Sequence, residues 1–387
     1  MENSAPLVAI VAGEASGDQH AAHLIREVKK IAPGVRFGGI AGPQMRAAGV
    51  EPLFDSSRLA VVGLVEVLSH LNEIYGAMQK MRHFLEEKHP DLLILVDYPE
   101  FNLRLAKRAK TLGIKVLYYI SPQVWAWRQY RVHQIGQVVD MMAVVLPFEV
   151  PFYEQAGVPV NFVGHPLQHE VKSKFNRNEA VVEFGFNPCC KTLGLLPGSR
   201  HSEIKRLLPV LLEAAERIYS EEPEIQYLLP LAATLKEIDL APYLKGYRLP
   251  LRVIPDRSYD VMAACDAMVA ASGTVTLEAA LMGVPLVVIY KMNSLSYWMG
   301  RLLIKVDHIA LCNIIAGEGV APELIQQDAS PERIALEALN LLRDKERRQT
   351  MQQKFYAIKH KLGAGAQRTI AELTVAMLEG ENLGRAS

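Results

Sequence analysis

The chain has 387 residues, balances 42 Lys+Arg against 42 Asp+Glu, and is half hydrophobic with 22% charged residues. That balance excludes a disordered chain and a uniformly basic nucleic-acid binder, whose phosphate contacts demand a positive surplus. The length suits two domains, each large enough for its own core. Four cysteines (Cys189, Cys190, Cys265, Cys312) lack C-x-x-C spacing and read as reduced cytosolic thiols rather than a zinc site. The start of the chain has no basic n-region, so no signal peptide is expected. The longest apolar run, Ala279–Tyr290, is broken by Gly283 and Pro285, so no spanning helix is expected either.

In chain order, the first strands are expected at Leu7–Val11, Val35–Ile40, Leu92–Val96, Lys115–Ile120 and Met141–Val145. Several are apolar on both faces, as parallel strands covered by helices are. The first ends in Gly13-Glu14-Ala15-Ser16-Gly17-Asp18. Small residues there let backbone N–H groups approach a ligand at the positive end of the next helix. The spacing is not G-x-G-x-x-G, and a tight connection capped by Ser16 or Asp18 fits it as well. From Val61 to Met81, Leu64, Val65, Val67, Leu68, Leu71, Ile74, Tyr75 and Met78 form an apolar face at helical spacing. Such a face is either a core stripe or a surface that dips into a bilayer.

Asp97 ends the apolar strand Leu92–Val96, with Glu100 a second acid three residues on. A carboxylate at a strand end can serve as a general base; the alternative is a cap for a helix beginning near Phe101. Next comes Ser-Pro-Gln-Val-Trp-Ala-Trp-Arg, residues 121–128. Trp125 and Trp127 can stack on a sugar, line an acyl slot or seal a helix on the sheet, and Arg128 and Arg131 can clamp a phosphate.

A polar segment near Lys172–Asn178 marks the domain boundary, between Gly164 and Glu183. Strands are then expected at Thr192–Leu196, Gln226–Leu229, Leu251–Ile254, Ala267–Ala270 and Leu286–Ile289, with helices such as Glu203–Tyr219 and Thr274–Met282 between them. No strand is expected beyond about residue 315, and Pro331–Glu379 reads as helical. Two successive βα series imply α/β architecture: two doubly wound, Rossmann-like domains facing a cleft. Leu196-Pro-Gly-Ser199-Arg200 reads as an anion cradle at a helix start. Ser272-Gly273-Thr274, with Glu278 about one turn on, suits a diphosphate on exposed N–H groups and a ribose diol on the carboxylate. A Ser272 or Thr274 helix cap is the alternative. Neither an H-e-x-x-H-type zinc motif nor G-x-S-x-G occurs.

These motifs, in this order, resemble the lipid-A-disaccharide synthase family from Val8 to about residue 375. The resemblance implies an inverting GT-B glycosyltransferase of lipid A biosynthesis. Its donor would be UDP-2,3-diacylglucosamine and its acceptor 2,3-diacylglucosamine 1-phosphate (lipid X), giving the β-1,6-linked disaccharide 1-phosphate and UDP. It also implies an acceptor- and membrane-facing domain at 1–168, a UDP-sugar domain at 169–349, and 350–387 returning to the first. Asp97 is then the expected base, with Glu14 and Asp18 in reserve. Ser199 and Arg200 would meet the leaving UDP, Ser272, Gly273 and Thr274 the diphosphate, and Glu278 the ribose; Asn313 would lie near the donor. Gly13, Glu14, Ser16, Gly17, Asp18, Asn102, Trp125, Trp127 and Arg128 would serve the acceptor side.

Diacylated substrates further imply that Val65, Val67, Leu68, Leu71, Ile74 and Tyr75 meet the inner leaflet, with the chain peripheral on its cytoplasmic side. Arg200 and helix termini can stabilise the leaving diphosphate, so neither a metal nor another cofactor is expected. A homodimer stays open. The rival readings are another GT-B UDP-sugar enzyme (a polyprenol-linked transferase or a UDP-sugar 2-epimerase) and a non-catalytic lipid-binding protein on the same scaffold. Zero net charge conceals basic stretches: seven Arg/Lys between Glu100 and His133, and eight between Leu341 and Arg368. The first would favour an anionic lipid or leaflet.

Overall fold

Apolar runs of five or six residues build two parallel sheets, one in each half of the chain. The computed structural model describes residues 5–59, 71–127, 129–292, 307–363 and 365–381. It divides into two units, Met1–Pro166 with Ala364–Ser387, and Leu167–Gly363.

The first unit's sheet contains β1 (Leu7–Ala12), β2 (Arg36–Ala41), β3 (Val50–Asp55), β4 (Leu92–Val96), β5 (Lys115–Tyr119), β6 (Met141–Val144) and β7 (Val160–Phe162), in the order β3-β2-β1-β4-β5-β6-β7. β4 is buried at every position, as its unbroken Leu-Leu-Ile-Leu-Val requires. The helix Ala15–Ile31 buries Ala21, Leu24, Ile25 and Val28 on one face and carries Lys29 and Lys30 in its last turn, where the helix dipole favours cations. The helix Ile370–Glu379 packs against it, its start closed reciprocally by Thr369 and Glu372. Lys115 Nζ donates to the Met377 carbonyl at 3.1 Å, tying that last helix to β5.

The second unit's sheet contains β8 (Thr192–Leu196), β9 (Gln226–Leu231), β10 (Leu251–Pro255), β11 (Ala267–Ala271), β12 (Leu286–Tyr290) and β13 (Glu323–Ile325), in the order β10-β9-β8-β11-β12-β13. The helix Lys345–Gly363 buries Met351, Phe355, Ile358 and Leu362 and packs on the helices Thr274–Met282 and Leu311–Ala316. Residues 350–363, assigned from sequence to the returning segment, therefore lie in the second unit; the return to the first begins at Ala364.

Three strands were not anticipated, and one of them, β13, lies beyond residue 315. All three are edge strands. β3 contains Pro52, and its pairing with β2 shifts register between Gly39 and Ile40; a proline is tolerated at such an edge but erases the alternating signal. β7 and β13 have only three residues each, too few for periodicity.

In both sheets the strand order reverses beside the first strand, between β1 and β4 and between β8 and β11. Connections leave such a pair toward opposite faces and open a crevice at the carboxyl ends, where α/β sheets bind ligands. Ala12 pairs with Val96, and Leu196 with Ala270. The Gly13 and Asp97 loops thus adjoin each other in the first unit, and the Ser199 and Ser272 loops in the second. No helix among the described residues is long and apolar enough to cross a membrane.

Candidate active site

In the second unit a cavity of about 360 Å³ opens at the reversal, lined by Gly198, Ser199 and Arg200 after β8 and by Ser272, Gly273, Thr274 and Glu278 after β11. The helix Thr274–Met282 begins at Gly273 with no side-chain cap. A Cβ at Gly273 would meet nothing within 4 Å, so the helix start is open to an incoming group. Uncapped first-turn N–H groups and the helix dipole make this an anion-accepting end. The cap reading of Ser272 does not hold: its hydroxyl donates to the Ile309 carbonyl at 2.9 Å. Its backbone N–H bonds the Ile289 carbonyl, which leaves Gly273 and Thr274 as the open part of the turn.

The Ser199 loop differs. Glu203 Oε2 accepts from the N–H groups of Ser199 at 2.8 Å and Arg200 at 3.2 Å. Glu203 Oε1 accepts from Arg200 Nη1 at 3.1 Å. The cradle that the sequence suggests is thus filled by the chain's own carboxylate, and a ligand phosphate would have to replace it. Glu278 accepts a hydrogen bond from Tyr259 Oη at 3.2 Å. Burial raises its carboxyl above the ordinary glutamate range, opposed by that phenol and reinforced by Glu170.

Asn313 lies away from this cavity. It is fully buried; its Nδ2 donates to the Ala321 carbonyl and Glu323 Oε1, both at 2.8 Å, and its Oδ1 accepts from the N–H groups of Val320 and Ala321, both at 2.9 Å. Every hydrogen-bonding position of the amide is occupied by the protein, so it staples a loop to the helix Leu311–Ala316.

In the first unit, Asp97 and Tyr98 both adopt left-handed backbone conformations, with φ of 46° and 48°. The helix Pro99–Thr111 starts at Tyr98 without a side-chain cap, so Asp97 is not its cap. Desolvation, and then the negative charge of Glu14, push the Asp97 carboxyl up to about 6, with the Tyr98 N–H and His20 pulling the other way. Glu14 and Ser16 are exposed at the uncapped start of the helix Ala15–Ile31. Gly13 lies under the Tyr98 ring, where a Cβ would come within 2.5 Å of ring carbons. Gly17 is buried against Ala12 and Val96, seating its helix on the sheet.

Asp18 is engaged elsewhere. Its carboxylate accepts from the N–H groups of Gly42 and Gln44 at 2.8 Å and Met45 at 3.2 Å, closing the start of the helix Pro43–Ala47. That leaves Glu14 as the acid beside Asp97. Asn102 is wholly buried, and its Nδ2 donates to the carbonyls of Asp97 at 2.6 Å and Val96 at 3.2 Å. Trp125 is buried and meets Phe148 edge-on at 4.9 Å, sealing the loop rather than offering a stacking face. The side chain of Trp127 and all of Arg128 lie outside the described residues, as do Val65, Val67, Leu68 and the side chain of Leu71. Ile74 packs against the first unit's core, whereas Tyr75 is 65% exposed. Ile74 therefore belongs to the core side of its helix.

A family model described as lipid-A-disaccharide synthetase matches residues 8–375. The lipid-A-disaccharide synthase of Trichlorobacter lovleyi is 55% identical over 373 residues, covering 96% of this chain and 97% of its own. That of Coxiella burnetii is 44% identical over 358 residues, covering 92% and 94%. The chain belongs to the lipid-A-disaccharide synthase family. Among solved structures, a UDP-GlcNAc 2-epimerase from Neisseria meningitidis aligns with TM-score 0.64 and 12% identity over 97% of this chain and 99% of its own. The calicheamicin glycosyltransferase CalG4 aligns with TM-score 0.62 and 16% identity over the same shares. At such identities these neighbours show the fold alone, which is GT-B. Family membership makes the chain a glycosyltransferase and sets aside the epimerase, polyprenol-linked and non-catalytic readings.

Within this lipid-A-disaccharide synthase family chain, three residues that sequence reasoning passed over now stand beside the candidates. Glu203 follows Arg200 by three, the spacing of a reciprocal helix cap, and that signal was available. Tyr259 and Tyr118 belong to no motif that marks them, and only tertiary contact brings them to Glu278 and Asp97.

Proposed function

We propose that the chain transfers the diacylglucosaminyl group of UDP-2,3-diacylglucosamine to lipid X with inversion, releasing UDP. The observation that carries this reading is the Asp97 carboxyl, held at a sheet reversal with its pKa pushed up to about 6. A base works best when its pKa lies near the working pH, and inversion in one displacement needs a single base on the attacking hydroxyl. Asp97 takes that proton as the hydroxyl attacks the anomeric carbon and the bond to UDP breaks. Glu14 keeps the Asp97 carboxyl basic.

The second unit holds the donor. The diphosphate sits on the open N–H groups of Gly273 and Thr274, and Glu278 accepts from the ribose hydroxyls. Arg200, released from Glu203, stabilises the charge that grows on the leaving UDP, which needs positive charge more than a proton. The first unit holds lipid X through the uncapped start of the helix Ala15–Ile31 and the Asp97 loop. Its acyl chains come from the cytoplasmic leaflet of the inner membrane, which Val65, Val67, Leu68 and Tyr75 contact.

The test is UDP release with lipid X as acceptor. Asp97→Asn should lower turnover by roughly 10²–10⁴ while changing UDP affinity little. Turnover near the wild-type rate would remove Asp97 from the mechanism.

A further inference from the structure

Two consecutive non-glycine residues in the left-handed region persist only where their surroundings hold them, and Asp97 and Tyr98 are such a pair. The hold is visible. Tyr118 Oη, from β5, and Asn102 Nδ2, from the helix Pro99–Thr111, both donate to the Asp97 carbonyl at 2.6 Å. Both side chains have no exposed surface. The Asp97 N–H is tied at 3.1 Å to the Tyr119 carbonyl on the same strand, so the peptide groups on both sides of its Cα are pinned to fixed partners. Burial drives the Tyr118 phenol far above its ordinary range, which keeps it a donor throughout the working pH.

We propose that Tyr118 is a positioning residue for acceptor activation: its hydroxyl, with the Asn102 amide, clamps the Asp97 carbonyl and locks the left-handed turn that aims the carboxylate. The proposal rests on Asp97 being the base. Without the clamp, Asp97 and Tyr98 relax toward negative φ and the carboxylate turns into water, where it is a weaker and misplaced base.

Tyr118→Phe in the full-length enzyme keeps the ring and removes the donor. Turnover in the lipid X assay should fall about tenfold or more, with UDP affinity unchanged and the acid limb of the pH–rate profile moved below its wild-type position. Asn102→Leu removes the other donor and should move both readouts the same way. Tyr227→Phe is the control. It deletes a buried phenol that donates to the Ala215 carbonyl at 3.1 Å in the second unit, and should leave turnover and the acid limb at wild-type values. A folded Tyr118→Phe with wild-type turnover and acid limb overturns the proposal even if its Tm drops. Should that variant fail to fold, the same result in Asn102→Leu overturns it. An inactive Asp97→Asn beside a wild-type Tyr118→Phe keeps the base and discards the clamp, whereas an active Asp97→Asn discards both.

Discussion

Burial sets the chemistry of the acid at the end of β4. A carboxyl pushed up to about 6 is ionised at pH 7 to 8 and yet more basic than a surface aspartate. The acid limb of kcat/KM should therefore lie at about pH 6, with the rate falling roughly tenfold per unit below it; a pH–rate profile checks this. The same shift acts on stability in the sense opposite to a salt-bridged aspartate. Between about pH 4, where the unfolded carboxyl titrates, and about pH 6, where the folded one does, the native state binds more protons. Stability contributed by this group is thus complete below pH 4 and lost as pH rises through about 6. Asp97→Asn removes the buried charge, so that variant should be more stable than wild type by about 2–3 kcal/mol at pH 7.5 and nearly equal at pH 4. Urea unfolding at the two pH values measures it. Composition and spacing could nominate Asp97, because an acid ending a buried strand is unusual. They could not show its pKa, which depends on what Glu14 and the enclosing wall do in space.

Glycine and amide caps decide the loops at the level of elements. Gly198 has φ of 111°, and a Cβ there would collide with the Glu203 carboxylate. Gly198→Ala should cost about 1–3 kcal/mol of stability and weaken UDP binding, both readable by calorimetry with and without UDP. Asn313 works on a different element. Asn313→Ala leaves the Val320 and Ala321 N–H groups without their acceptor and takes one donor from the Glu323 carboxylate, which keeps the Ile309 and Ala310 N–H groups. The loss should be about 3 kcal/mol or more, with UDP affinity of the folded fraction preserved; a large drop in affinity alone would return Asn313 to the donor site. The central strands and the helix Thr274–Met282 were legible because apolar runs and flanking Gly273 and Gly283 mark them. Of the four edge strands only β10 was legible; β3, β7 and β13 were not, since pairing on one side requires little of a short sequence. The tryptophan motif shows the same limit: its composition fits a sugar platform, but Phe148 and the enclosing fold make Trp125 a seal.

Charge and membrane contact belong to the whole molecule. Several residues of the basic stretches counted along the chain are answered by acids elsewhere. Arg108 pairs with Glu86, Lys110 with Asp140, Arg343 with Glu221 and Glu222, Arg347 with Glu337, and Lys354 with Glu318. Such surface pairs add little stability, but they cancel part of the field that a linear count suggests. Apolar side chains rather than charge should then dominate membrane attachment. Changing Val65, Val67 and Leu68 to Ser, while leaving core-packed Ile74 intact, should shift the protein from the membrane fraction to the supernatant with its circular dichroism unchanged. Retention on the membrane would move the contact elsewhere. By itself the sequence determined the two doubly wound units, the family and the placing of its motifs at strand ends, because each is written in local pattern and motif order. Tertiary structure decided which motif side chains the protein itself engages. Asp18, Asn313 and Trp125 have site-like chemistry, but the fold engages them elsewhere: Asp18 and Trp125 meet partners more than twenty residues away, and Asn313 the loop that follows its own helix. Asp97 is different: distant residues leave its carboxylate half-buried and free of a cap while clamping only its backbone.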